Sequence, residues 1–116
     1  MQISICLRKN LMKKTDKIFI AGHNGLVGSS ILNLLKNNGY KNLITVNRSK
    51  LDLRDYNKVT NYFKKKKIDY LVIAAARAGG IIANSSNQKE FFLDNVEIQN
   101  SLLKLANQKK LRGLFF

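Results

Sequence analysis

Three glycines, Gly22, Gly25 and Gly28, stand GxxGxxG in the stretch IAGHNGLVGSS, residues 20–30. Glycine serves where a backbone must turn tightly or let another group come close. An apolar run precedes these glycines and an amphipathic stretch follows, so they sit where a strand turns into a helix. In that setting Gly22 suits the tight turn, Gly25 the approach of a pyrophosphate, and Gly28 close packing of helix on strand. His23, Asn24, Leu26 and Val27 complete the turn and the first helical residues, whose free N–H groups face bound phosphate. The chemistry implied is the binding of a dinucleotide. The alternative is a tight strand–helix turn without a ligand, for which three spaced glycines are more than is needed.

The elements that must position this turn follow from periodicity. Lys17 to Ala21, KIFIA, is a short apolar run and is predicted to be a buried strand. Val27, Ile31, Leu34 and Leu35 fall at i, i+4, i+7 and i+8, one helical face, and Gly39 is a natural stop. Asn42 to Val46, NLITV, is predicted to be the second strand. Asp55 is placed to cap a second helix that buries Tyr56, Val59 and Phe63. Lys64 to Lys67 then lie at that helix's C-terminal end, where the dipole favours cations.

Asp69 to Ala76, DYLVIAAA, is continuously apolar, as a parallel strand covered on both faces must be. A loop with Gly79 and Gly80 leads to a long helix near Gln88 to Lys109, with Phe91, Asn95, Ile98, Leu102 and Leu105 on one stripe. Gly113 to Phe116, GLFF, opens a fourth strand. The order β-α-β-α-β-α-β, with the chain ending in strand four, predicts an α/β fold: a truncated, Rossmann-like, doubly wound parallel sheet. Strand four is expected beside strand one.

The end of the second strand bears on the ribose. A free 2′-hydroxyl usually meets an acid about 20 residues past the glycines, whereas a 2′-phosphate is accommodated by Arg. Here that strand end carries Asn47 and Arg48 and no acid. NADP is therefore the expected cofactor, with Arg48 on the 2′-phosphate; a solvated Arg48 is the alternative. Asp52, in LDLRD, can reach an adenine amino group or serve as a local turn or cap.

A formal net charge of +14 on 116 residues raises a polyanionic partner, and nucleic acid must be considered. The lysines are spread along the chain, however, and aromatic residues do not alternate with them as a stacking platform requires. A compositional bias toward Asn, Ile and Lys accounts for the charge without specific nucleic-acid binding. Cys6 is the only cysteine and His23 the only histidine, so intrachain disulfides and zinc-ligand spacing are excluded and a reducing, cytoplasmic setting is expected. No apolar stretch approaches the ~20 residues that span a bilayer. Residues 1–16 are expected to form a flexible leader before a dinucleotide-binding domain over residues 17–116. Its apolar part, Ile3 to Leu7, is shorter than the core of a signal peptide, and Met12 is a natural start before the first strand.

Two stretches carry a narrower resemblance. IAGHNGLVGS and AAARAGGIIAN, Ala74 to Asn84, resemble the start of the GDP-L-fucose synthases, within the extended short-chain dehydrogenase/reductase group (the NAD-dependent epimerases and dehydratases). The likeness runs from about Lys17 to Phe116. It implies an NADP-dependent 3,5-epimerase and 4-reductase of GDP-4-keto-6-deoxymannose, a nucleotide-sugar substrate and a homodimer in the full-length family. It implies that the Gly22–Gly28 turn holds the pyrophosphate, that Arg48, Leu51, Asp52 and Leu53 hold the adenosine end, and that the Ala74–Ala76 strand end, Ala75 included, lines the cleft. Asn24 stands where many such enzymes carry Arg, which removes one phosphate contact. Arg77 stands where Lys is common, which keeps the charge. Asn95 matches an Asn on the family's long helix and is given a packing and hydrogen-bonding role.

The same resemblance implies a catalytic Ser after strand four and a YxxxK on the following helix, neither of which this sequence reaches. Tyr62 to Lys66 fits YxxxK literally, but it lies between strands two and three, where Phe63 belongs to the core and the lysines to the helix end. No catalytic or metal-ligating residue is assigned. A segment inactive by itself is expected; a non-catalytic nucleotide-binding module, another extended short-chain epimerase or dehydratase, and a basic nucleic-acid binder are the alternatives.

Overall fold

The structure is a computed structural model that describes residues 12–74 and 88–115. Its elements are β1 (Lys17–Ala21), α1 (Leu26–Asn37), β2 (Asn42–Ile44), α2 (Tyr56–Phe63), β3 (Tyr70–Ile73), α3 (Gln88–Lys109) and β4 (Gly113–Phe115). The strands form one parallel sheet in the order β2-β1-β3-β4. β4 thus pairs with β3, where the sequence placed it beside β1. Both flanks of β1 are already taken, by β2 and by β3, so the crossover through α3 extends the sheet outward.

Alternation along the two central strands divides the core into two layers. Phe19 and Ala21 of β1, with Leu71 and Ile73 of β3, pack against Val59 and Phe63 of α2 and Leu102 and Leu105 of α3. Ile18, Ile20, Tyr70 and Val72 point the other way, onto Ile31 and Leu35 of α1, Tyr40 and Phe115. Helices on both faces explain why these strands read as unbroken apolar runs. The sheet is doubly wound, as expected.

α1 differs from its periodicity in which side it buries. Val27 and Leu34, expected on the packed stripe, are 52% and 51% exposed, while Gly28, Ile31 and Leu35 face the sheet. The absence of a side chain at Gly28 lets this face of the helix approach the β1 turn. Gly39, at φ 85°, ends the helix in the left-handed region, and Tyr40 N–H returns to the Leu35 carbonyl. α2 begins as expected, with Asp55 accepting from Lys58 N–H at 3.2 Å. At its other end the Lys109 ammonium of α3 donates to the carbonyls of Phe63 and Lys66, binding α3 to the C-terminus of α2.

Residues 12–16, placed by sequence in the leader, make a turn against the body of the fold. Lys13 N–H donates to the Asp16 carboxylate at 2.8 Å, Lys41 N–H donates to the Lys14 carbonyl at 3.1 Å, and Met12 packs partly buried on the α1 layer. Residues 1–11 lie outside the described part.

Candidate functional site

From β1 the chain goes to β2 on one side, then crosses to β3 on the other, so β1 is the topological switch point of the sheet. In open α/β sheets the crevice beyond the C-terminal strand ends at such a point is where ligands bind. A cleft of about 190 Å³ lies there, lined by Gly22, His23, Asn24, Gly25, Val46, Arg48, Leu51, Asp52, Leu53, Arg54, Ala74 and Ile98. The glycine turn, the loop after β2, the end of β3 and one residue of α3 therefore converge, although they are far apart in sequence.

The three glycines do different work. Gly22 has φ 86°, the left-handed region that L-residues with side chains rarely adopt. A Cβ at Gly28 would stand 1.9 Å from the Gly22 carbonyl oxygen and 2.6 Å from its carbon, so this position keeps α1 close to the turn. A Cβ at Gly25 would meet only the Gly22 oxygen, at 3.5 Å, an ordinary contact. The fold itself therefore leaves room for a side chain at Gly25, and that room belongs to the cleft. Gly25 is also the N-cap of α1, and no side chain caps this helix. The first helical N–H groups have no acceptor within the helix, and Gly25, from which the helix starts, lines the cleft.

Leu26, Val27 and Gly28 do not join the lining: Leu26 is 88% exposed, Val27 points to solvent, and Gly28 is buried against Gly22. Whatever Leu26 and Val27 contribute to a ligand comes from backbone rather than side chain. Asn24 Nδ2 reaches Asn47 Oδ1 at 3.4 Å, linking the glycine turn to the segment after β2. Arg48 is exposed at the cleft mouth, beside Asp52. Ala75 and Arg77 lie outside the described residues, as does nearly all of the Ala74–Asn84 motif; Ala74, which precedes them, lines the cleft.

The sequence did not single out Arg54, yet it organises one wall of the cleft. Its Nε and Nη2 donate to Asp52 Oδ1 and Oδ2 at 3.0 and 2.8 Å, and its Nη1 donates to Asp94 of α3 at 3.0 Å. Ser101 of α3 donates to the Arg54 carbonyl at 3.2 Å. The fork of Arg54 across both oxygens holds the Asp52 carboxyl well below the ordinary range, at about 2, against the opposing effect of burial. The local sequence carries a signal for this, since Asp and Arg two residues apart in a turn can pair; the long-range partner Asp94 has none. Val46 and Ile98, also unassigned from sequence, supply apolar wall.

The YxxxK pair is elsewhere. The Lys66 ammonium sits 4.5 Å above the Tyr62 ring, Tyr62 packs edge-on against Phe63, and neither Tyr62 nor Lys66 lines the cleft. Among the described residues, no cluster of three or more His, Cys, Asp or Glu side chains could hold a metal ion, and no helix is long and apolar enough to cross a membrane.

The family model described as "NAD dependent epimerase/dehydratase family" matches residues 18–116. The chain belongs to this family. Among epimerase/dehydratase proteins it is similar to the putative GDP-L-fucose synthase 2 of Arabidopsis thaliana, 38% identical over 106 residues, which cover 91% of this chain and 32% of that protein. In structure it is similar to DdhaC, with a TM-score of 0.83 and 44% identity over 89% of this chain and 30% of that one. It is likewise similar to CJ1428 of Campylobacter jejuni, a GDP-D-glycero-L-gluco-heptose synthase crystallised in the presence of NADPH, with a TM-score of 0.82, 30% identity and the same coverages. The chain spans about a third of the length of the curated relatives it matches.

Proposed function

We propose that this chain binds NADP in the cleft at the end of β1 and forms the dinucleotide-binding part of a GDP-L-fucose synthase-type epimerase/reductase acting on a GDP-linked 4-keto-6-deoxy sugar. One observation carries this proposal: the fold brings the Gly22–Gly25 turn and Arg48 to one cleft, with no acid where a free 2′-hydroxyl would be read. Gly22, His23, Asn24 and Gly25, with the N–H groups opening α1 at Leu26 and Val27, face the pyrophosphate. Gly28 keeps that helix start in place. Arg48 meets the 2′-phosphate. Leu51, Asp52 and Leu53 flank the adenine, and the strand end at Ala74–Ala75 backs the cofactor. When bound, NADPH supplies the hydride; the chain's own part is to orient it.

The proton chemistry of such a reductase needs a Ser and a YxxxK beside the nicotinamide. The one YxxxK of this sequence is spent on the outer helix layer, so the chain by itself is inactive in this proposal. A reductase or epimerase of a GDP-heptose is the second candidate, favoured by the likeness to the heptose synthase; it shares the cofactor and the GDP-sugar class. Calorimetric titration of the 116-residue chain with NADPH and NADH tests the cofactor assignment. NADPH is expected to bind at least about tenfold more tightly, the worth of one charge-assisted hydrogen bond; equal binding, or none, refutes it. Turnover of NADPH with the keto-deoxy GDP-sugar above background refutes the inactivity.

A further inference from the structure

Because all four strands run parallel, the residues that lead into them share one edge of the sheet, the edge opposite the cleft. Basic residues lead into every one. Lys13, Lys14 and Lys17 enter β1, and Lys41 enters β2. Lys64–Lys67 come before β3, and Lys109, Lys110 and Arg112 before β4. Backbone hydrogen bonds tie these segments together: Lys41 N–H to the Lys14 carbonyl, Asp69 N–H to that of Lys17, Arg112 N–H to that of Asp69. Lys109 reaches the Lys66 carbonyl. Of these eleven basic residues, all but the half-buried Lys109 are exposed.

Among the described residues two carboxylates share this edge, Asp16 and Asp69, each 7% exposed and turned inward. Asp16 accepts from Lys13 N–H and pairs with Arg112 at 3.4 Å; Asp69 accepts from Lys17 N–H and pairs with Lys67 at 3.6 Å. Eleven positive charges less two negative ones leave nine on this edge, out of a formal +14 for the chain. The charge that faces solvent here is almost wholly positive.

We propose that this edge is a docking face for the phosphate backbone of duplex nucleic acid, bound without regard to sequence. Strands about 4.8 Å apart put roughly 15 Å between the outer strand starts. That length of duplex carries about nine phosphates, so the two charge densities are comparable. Single-strand stacking is disfavoured, because the tyrosines here are buried or covered: Tyr40 lies under Lys14, Tyr62 under Lys66 and Tyr70 beneath Arg112. A lipid surface is disfavoured too. Of the exposed large apolar side chains among the described residues, Leu26, Val27, Phe92, Leu93 and Val96 stand on the N-terminal halves of α1 and α3, away from the strand starts, and only Leu34 and Leu103 share surface hollows with strand-start residues. Docking at this edge does not depend on NADP binding, since the cleft is at the far edge.

The test uses the full 116-residue chain and a fluorescent duplex of mixed sequence, with anisotropy followed between about 50 and 200 mM salt. Binding is expected to fall steeply with salt and to ignore duplex sequence. The variant K41Q/K64Q/K65Q/K110Q should lower the slope of log K against log salt by up to about 3.6, or 0.9 for each phosphate no longer neutralised. The control K50Q/K58Q/K89Q/K104Q removes the same charge from other surfaces and should leave the slope nearly unchanged. Circular dichroism of both variants establishes that they are folded. If the two variants weaken binding equally, binding follows net charge and this face is not the site. Tighter binding at equal salt to phosphatidylserine vesicles or to polyglutamate than to duplex also overturns the proposal, as does a salt-insensitive interaction.

Discussion

Gly25 and Gly28 stand three residues apart in one motif, and replacing each with alanine should damage different properties. At Gly28 a new methyl would stand 1.9 Å from a carbonyl oxygen and 2.6 Å from its carbon, so α1 and the β1 turn must separate by more than an ångström. Both opposing atoms are backbone, with no flexible side chain to yield. Overpacking costs about 1–3 kcal/mol, and this case belongs at the upper end. Alanine recovers about 1 kcal/mol of helix propensity, leaving a net destabilisation of about 2 kcal/mol. At Gly25 the methyl meets one atom at 3.5 Å, and φ −77°, ψ 171° is open to any residue. A less favourable N-cap and a less flexible unfolded chain act in opposite senses, so stability should change by less than about 1 kcal/mol.

Binding should show the reverse contrast. A methyl at Gly25 occupies the space in which a pyrophosphate must approach the backbone N–H groups. Each charge-assisted hydrogen bond broken in this way is worth about 1.5–3 kcal/mol, roughly tenfold or more in affinity. Urea midpoints and calorimetric NADPH titrations of Gly25→Ala and Gly28→Ala separate the two effects. Unchanged affinity in Gly25→Ala would show that no pyrophosphate lies against this turn. An unchanged midpoint in Gly28→Ala would show that helix and turn do not approach so closely.

Arg48→Ala should erase most of a preference for NADPH over NADH, a change of about tenfold or more in the affinity ratio; a retained preference would place the 2′-phosphate elsewhere. The carboxyl of Asp52 is depressed to about 2 from 3.8, so its pairing with Arg54 stabilises the fold above pH 4 and is lost as pH falls toward 2. Solvent screening keeps the effect small, and Arg54→Met should flatten that part of the stability–pH curve; an unchanged acid limb would contradict the pairing. Lys109→Met leaves the last carbonyls of α2 without their cation and should cost about 1 kcal/mol in urea unfolding, whereas an equal midpoint would mean water replaces it at no cost.

Local sequence was enough for the elements that carry strong local signals. The three spaced glycines, Asp55 as a cap and Gly39 as a stop were all legible because turns and helix ends depend on the conformational range of single residues. The alternation of strands and helices likewise implied a parallel, doubly wound sheet. Pairing was less legible. Nothing in GLFF says which strand it meets, and its place beside β3 follows from β1 having both flanks occupied. Val27 and Leu34 fit a helical period as well as Leu35 does; the close approach at Gly28 turns them to solvent. Arg54 joins Asp52, two residues away, to Asp94, forty residues away, and only packing of α3 on the loop after β2 brings the second partner into reach.

Charge shows the division most plainly. From sequence alone the chain's chemistry is set by residue identity: a glycine turn suited to phosphate, an arginine without an acid at the second strand end, and a large positive charge. Where that charge resides is a tertiary matter. The basic residues are scattered along the chain, and eleven of them gather on one edge because a parallel sheet brings every strand start to the same side, whereas Asp16 and Asp69 at that edge turn inward to bond the chain.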